Sequence, residues 1–225
     1  MKVKIYLTVV FVFIFIGAKS QNNCSTYYPF KKGVEVEITN YDKKGKNSGV
    51  VSHLVKDVKD NVAVFVTNMK DEKGKHISEI EYNVECVNDG VSVDFKSLIS
   101  GDILKQYKDM EINMTGTNLS IPNKLIAGQE LPDAKVNMEI IITPIKMKSS
   151  INIIDRKVEG KETITTPAGT FDCVVITNKT EMKMGIKSTM ISKQWLSVGI
   201  GMVKNENFNK KGKLIGYSVL TNLKK

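Results

Sequence analysis

The chain has 225 residues, 41% of them hydrophobic and 25% charged, with a formal net charge of +9. This length suits one domain, and a large all-β domain falls within it. The basic excess is spread along the chain, which excludes a typical nucleic-acid binder with its basic face and interleaved aromatics but leaves room for loose contact with anionic lipid or polysaccharide.

Residues 1–20 read as a secretory signal peptide. Lys2 and Lys4 precede an apolar run over residues 5–16 broken only by Thr8, and the small residues Gly17, Ala18 and Ser20 set cleavage before Gln21. The run is too short to span a bilayer. Gln21, Asn22 and Asn23 before Cys24 are not the small and aliphatic residues of a lipoprotein signal. Cleavage removes three lysines and no acid, lowering the net charge from +9 to +6.

Three cysteines follow, Cys24, Cys86 and Cys173. Export makes a disulfide feasible, and an odd count leaves one thiol over. The favoured pair is Cys24–Cys86, which would tie the mature N-terminus to a strand; three free thiols is the alternative. Cys173 lies within a strand, where a buried thiol behaves as a small apolar residue. Neither His53 nor His76 stands in a motif that would make a thiol catalytic.

A repeated turn organises the next elements. Asp42-Lys43-Lys44-Gly45-Lys46, Asp71-Glu72-Lys73-Gly74-Lys75 and Asn209-Lys210-Lys211-Gly212-Lys213 share one form. It is the chemistry of a type I turn closed by a left-handed glycine, capped by the Asp or Asn side chain. Strand-like runs flank each copy: Val34, Val36 and Ile38; Val50, Val51 and Val55; Val62, Val64 and Val66; Ile80, Tyr82, Val84 and Cys86; and, around the last, Met202, Val203, Leu214, Tyr217 and Val219. Three hairpins are expected. Their lysine-rich tips read either as solvated, edge-protecting turns or as contacts to an anionic surface. Asn88-Asp89-Gly90 predicts a further tight turn.

The period changes once. Leu98, Ile99, Ile103, Leu104 and Tyr107 recur at helical spacing between Lys96 and Met110, with Asp102 as a candidate N-cap. Residues Ile121 to Asp133, holding Pro122, Gly128 and Pro132, read as a loop. Strands resume over Val136 to Ile142, where Pro144 marks an edge or bulge, and again over Ile151 to Val158 and Lys161 to Thr166. Pro167 and Gly169 then turn the chain into a strand from Phe171 to Thr177. Met182, Met184 and Ile186 alternate next, and Met190 to Trp195 forms a strand broken by Ser197 to Gly201. With about a dozen strands, the expected fold is all-β. It is a long antiparallel meander curled into an open barrel or wrapped sheet, with one short helix, in a single domain over residues 21–225.

Several of these tracts resemble a known family. Cys24 with Tyr28-Pro29-Phe30, the tract Thr166-Pro167-Ala168-Gly169-Thr170-Phe171-Asp172, Trp195 with Gly199-Ile200-Gly201-Met202-Val203-Lys204, and the Lys-Gly-Lys turns are similar to exported bacterial proteins of the TapB-like family of unknown function. Their fold is close to that of YmcC-like lipoproteins. The resemblance implies a curled antiparallel sheet and an envelope location, and transfers no substrate or active-site residue.

The residues themselves point away from catalysis. Two unpaired histidines argue against a zinc site. No nucleophile elbow or phosphate-cradling glycine loop occurs, and Asp42, Asp71 and Asp89 are turn formers. No enzyme activity, cofactor or metal is expected. The strands of the second half are rich in methionine, a flexible and polarisable residue that adapts to irregular apolar ligands. One reading is therefore a non-catalytic envelope protein, periplasmic or extracellular, that holds a lipid or another hydrophobic ligand inside the sheet. It predicts a cavity behind Met182, Met184 and Trp195. The other is a structural or protein-interaction module with a filled core. Neither reading needs a nucleic acid or a membrane-spanning segment after cleavage, and the oligomeric state stays open.

Overall fold

The computed structural model describes residues 24–225 except 100–102, 104, 105, 108, 109, 143 and 144. The signal peptide, Pro144 and the Asp102 cap lie outside the described residues. The strands are β1 Glu35–Asp42, β2 Asn47–Lys59, β3 Val62–Lys70, β4 His76–Val87, β5 Gly90–Val93, β6 Glu111–Thr117, β7 Leu119–Pro122, β8 Glu130–Leu131, β9 Ala134–Ile142, β10 Ile145–Thr166, β11 Gly169–Met184, β12 Ile186–Ser197, β13 Gly201–Asn209 and β14 Leu214–Lys224. They form one antiparallel sheet in the order β6-β9-β10-β11-β12-β13-β14-β1-β2-β3-β4-β5-β7, with the two-residue β8 beside β10. The all-β meander read from the sequence is the observed architecture.

Closure follows from the strand order. The outermost strands, β6 and β7, are separated in the chain by Asn118 alone, so the sheet curls until its edges meet and becomes a nearly closed barrel. Asn118, at the junction, is anchored on the β5 side: its Oδ1 accepts the Phe95 N–H at 3.1 Å and its Nδ2 donates to Ser92 Oγ at 3.0 Å. In the middle of the sheet β1 pairs with β14, joining two meanders end to end. A curled sheet of this kind hides the edges that an open sheet would expose.

The three repeated turns have one geometry. Asp42 Oδ1 accepts the N–H groups of Lys44 and Lys46 at 2.8 and 2.9 Å. Asp71 Oδ1 accepts those of Lys73 and Lys75, and Asn209 Oδ1 those of Lys211 and Lys213. Gly45, Gly74 and Gly212 hold φ of 79°, 79° and 73°, a region that disfavours side chains with a Cβ.

Four departures from the sequence reading are local. β10 runs unbroken for 22 residues where two strands were expected. Register shifts between Ile154 and Lys157 and between Val158 and Gly160 insert extra residues, so the period of two is lost although the pairing continues. The alternating run through Met182, Met184 and Ile186 reverses at Gly185 (φ 72°), leaving Met184 opposite Ile186 across a hairpin. Of the expected helix, the described residues hold a 3-10 turn at Phe95–Leu98, capped by Asp94, and one helical bond from Tyr107 N–H to the Ile103 carbonyl. Ile99, Ile103 and Tyr107 pack there against Val136, Met138 and Ile140. Within the expected loop, Ile121 and Pro122 end β7, and Glu130–Leu131 forms β8.

One end of the barrel is packed solid. Val55, Ala63, Phe65, Val84, Val91, Val93, Ile121, Val158 and Ile176 form its core, and Tyr27, Leu125 and Leu131 complete it from the N-terminal segment and the 123–131 stretch. The Cys24–Cys86 disulfide pins that segment to β4, and Cys173 is free and buried. Asn123 adds two bonds, accepting the Thr26 N–H at 2.7 Å and donating to the Cys24 carbonyl at 3.2 Å.

Candidate functional site: a lined cavity in the barrel

Beyond the packed core the barrel opens into a cavity of about 400 Å³. This volume lies within the range of small-molecule sites. A depression beside Pro122, Lys124 and Gln129 is larger but shallow and lies on the surface.

The strand period builds the cavity wall. On β11 the inward positions run Val174, Ile176, Asn178, Thr180, Met182. The first two belong to the packed core and the last three line the cavity. On β12, Met190, Ser192 and Gln194 face inward opposite Thr180, Asn178 and Ile176. Asn205 and Asn207 of β13 stand opposite Gln194 and Ser192. A belt of amides and hydroxyls therefore crosses three strands. Ser192 Oγ donates to Asn207 Oδ1 at 2.8 Å, and Asn205 Nδ2 donates to the same oxygen at 3.0 Å. Asn205 Oδ1 is buried with no hydrogen-bond partner among the described residues.

The facing wall is mostly apolar and aromatic, with Val36, Ile38, Val51, Phe65, Met69 and Tyr82. Tyr28 meets Phe65 edge-on with ring centroids 6.2 Å apart, and Phe65 stacks on Tyr82 at 5.5 Å. His53 Nδ1 lies 2.7 Å from the Thr67 hydroxyl, directly across from it in the β2–β3 ladder. Burial pulls the imidazole down to about 4, so it is neutral at neutral pH. Burial pushes the Tyr28 phenol up to about 12 and raises that of Tyr82, which keeps both as hydrogen-bond donors.

Arg156 is the charged exception in the wall. It is 3% exposed, and its guanidinium donates to two main-chain carbonyls, that of Pro132 from Nη1 and that of Ser120 from Nη2 at 3.1 Å. Burial lowers its pKa to about 10, which leaves it protonated at neutral pH. It is the one arginine in a chain whose other strong bases are all lysines. Sequence reasoning missed it, and that singularity was the signal available.

The residues expected at the site divide. Met182 lines the cavity together with Met69, Met190 and Met202. Met184 does not; it packs at the margin of the cluster around Ile103 and Met138. Trp195 does not line the cavity either. It lies between the cavity-lining Gln194 and Leu196, so the pleat turns its indole to the other face. There it is 2% exposed, and its Nε1 donates to Glu162 Oε2 at 2.8 Å. The Lys193 and Lys204 ammonium groups stand 4.7 and 4.6 Å from its ring centroid. Hydrogen bonds from Lys193 and Trp195 hold the Glu162 carboxyl below the usual range. Among the described residues no group of three or more His, Cys, Asp or Glu is placed to hold a metal ion, and no helix is long and apolar enough to cross a membrane.

A nearly closed antiparallel barrel around a lined interior defines the structural class. The DUF3108-like family profile matches residues 31–220, and the chain belongs to that family. The structure superimposes with a TM-score of 0.75 on that of a candidate exported protein with a YmcC-like fold from Bacteroides fragilis. That protein is 22% identical, and the match covers 90% of this chain and 100% of that one. A candidate lipoprotein from Parabacteroides distasonis gives the same TM-score at 23% identity, over 89% of this chain and 99% of that one. The resemblance to YmcC-like proteins read from the sequence is thus borne out at the level of fold. No curated protein matches the chain.

Proposed function

We propose that this chain is an exported, non-catalytic protein of the cell envelope that holds a hydrophobic ligand within its curled sheet. The observation that carries this reading is the interior cavity of about 400 Å³ walled by Met69, Met182, Met190 and Met202 with Phe65 and Tyr82. A packed barrel of this size has no need of an interior space, because cores otherwise fill to crystal-like density. Thioether side chains suit apolar ligands of irregular shape, and the opposing polar belt gives an amphipath an orientation. The wall offers one histidine, whose Nδ1 faces a threonine hydroxyl rather than a carboxylate, which favours binding over general-base chemistry. Export is supported by the pattern of residues 1–20 and by a disulfide, a bond that persists in oxidising compartments. Two relatives in fold carry descriptions as a candidate exported protein and a candidate lipoprotein.

The test is native mass spectrometry of the protein purified from its own envelope without detergent, paired with titration of the emptied protein with the neutral fluorophore N-phenyl-1-naphthylamine. A co-purifying lipid-sized mass, or a saturable fluorescence increase at one site, is the expected result. Neither adduct nor saturable binding would overturn the reading and favour a structural or interaction module of the envelope.

A further inference from the structure

The wall of the cavity is electrically one-sided. Among the described residues its lining includes no Asp, Glu or Lys, and with His53 neutral the sole charge among them is that of Arg156. No carboxylate lies within ion-pair distance of that guanidinium among the described residues. Asp133, the acid whose charge it feels, is exposed and stands beyond that range. The two carbonyls it reaches occupy two of five N–H donors and supply no negative charge. A buried cation without a counter-charge is costly to maintain.

The backbone is bent to place it there. Ile151 and Ile153 line the cavity, so an unbroken pleat would present Asp155 at the next inward position. Instead β10 bulges: Asp155 and Arg156 together stand opposite Asn178, between the pairs Ile154–Lys179 and Lys157–Thr177. Asp155 takes a φ of 52° and is exposed, and Arg156 turns inward in its place. A left-handed non-glycine residue is a local strain of the kind found at functional sites, and bulges commonly re-aim a side chain. Here the bulge exchanges an anion for a cation in the cavity wall. Tyr28, whose phenol stays protonated, lines the same space and lies within electrostatic reach of the guanidinium.

We infer that Arg156, with the Tyr28 hydroxyl beside it and Asn178 across the bulge, is the head-group subsite of the cavity, and that the ligand is an acidic amphipath: an apolar chain ending in one carboxylate or phosphate. The inference rests on the ligand-holding reading above and names the class of ligand. Guanidinium is suited to both head groups because its planar fork donates two parallel bonds to either. The apolar body then extends toward Met69, Met182 and Met190.

The experiment is displacement of N-phenyl-1-naphthylamine from the emptied full chain by dodecanoate, dodecyl phosphate and dodecanol, which share a tail and differ in head. One or both acids should compete at concentrations about tenfold or more below the alcohol, corresponding to at least one charge-assisted bond. Arg156→Gln should erase that margin by weakening the acids while the alcohol competes as before, and Arg156→Lys should restore part of it. Equal competition by acids and alcohol in the unaltered protein overturns the head-group assignment and leaves the ligand-holding reading intact. Absence of any fluorophore binding overturns both. The comparison in the unaltered protein decides the matter even if the Gln variant does not fold.

Discussion

The two halves of the barrel interior are built from the same strands and serve opposite ends. At the packed end, Val174 and Ile176 of β11 meet Val55, Val84 and Val158, and the N-terminal segment closes the bore with Tyr27. One turn of the pleat further along, Asn178 and Thr180 replace valine and isoleucine, and the interior opens. The backbone pairing is regular through this boundary, from Val174–Leu196 to Thr180–Met190. On the other side of β11 the bulge of β10 opposite Asn178 falls at the same boundary, so the difference lies in the inward side chains together with that bulge. Stability is concentrated where aliphatic side chains interlock, and room for a ligand appears where amides hold one another along the wall.

This contrast can be broken at the packed end first. The double variant Cys24→Ser/Cys86→Ser releases the segment that plugs the bore. For a sequence separation of 62, the chain-entropy treatment gives a loss of roughly 4 kcal/mol in urea unfolding. A loss under 1 kcal/mol would mean that Asn123 and the Tyr27 packing hold the plug without the bond. Next comes Ile176→Ala, at a position 1% exposed. It should cost about 2–5 kcal/mol, the transfer term plus a residual cavity. A smaller cost would show that the open interior reaches along β11 past Asn178 to Ile176.

At the open end the effects are weaker and depend on conditions. His53 has a folded pKa of about 4 against an ordinary 6.5. Between these values the unfolded chain takes up a proton that the folded chain refuses, so stability is intact above 6.5 and falls as the pH drops toward 4. The loss is at most about 3 kcal/mol, and less to the extent that water in the cavity solvates the ring. Unfolding at pH 7.5 and 4.5, compared with His53→Gln, isolates this share. An unchanged difference between the two pH values in the variant would remove His53 as its source. The smallest effect is expected from Thr180→Val. Its hydroxyl makes one long bond, 3.4 Å to Asn178 Oδ1, so the change should stay within about 1 kcal/mol. A loss comparable to that of Ile176→Ala would show that the polar belt is itself a stabilising core.

Legibility in the sequence follows the range of the interactions involved. The repeated turns were readable residue by residue, because Asp42, Asp71 and Asn209 act on N–H groups two and four positions away. The site was readable only in part. Met182 announced itself through alternation and chemistry. Trp195 read as either a core plug or a pocket floor, because a lone tryptophan in a strand looks the same whichever face it joins; it packs in a buried cluster with Cys173, Val175 and Leu220 and bonds Glu162. Met184 sits one hairpin turn too far along, at the reversal made by Gly185.

By itself the sequence determined the strand-rich class, the capped hairpins and the family, since these depend on side-chain period, on glycines at φ-positive positions and on short tracts. Only the tertiary structure decided how the curled sheet closes, with β6 and β7 brought to one seam across Asn118, and which inward positions fill and which line a cavity. It alone decided that a bulge opposite Asn178 sends Arg156 inward and Asp155 out. These outcomes turn on register between strands distant in the chain, and a shift of one residue in register reverses the face of every side chain beyond it.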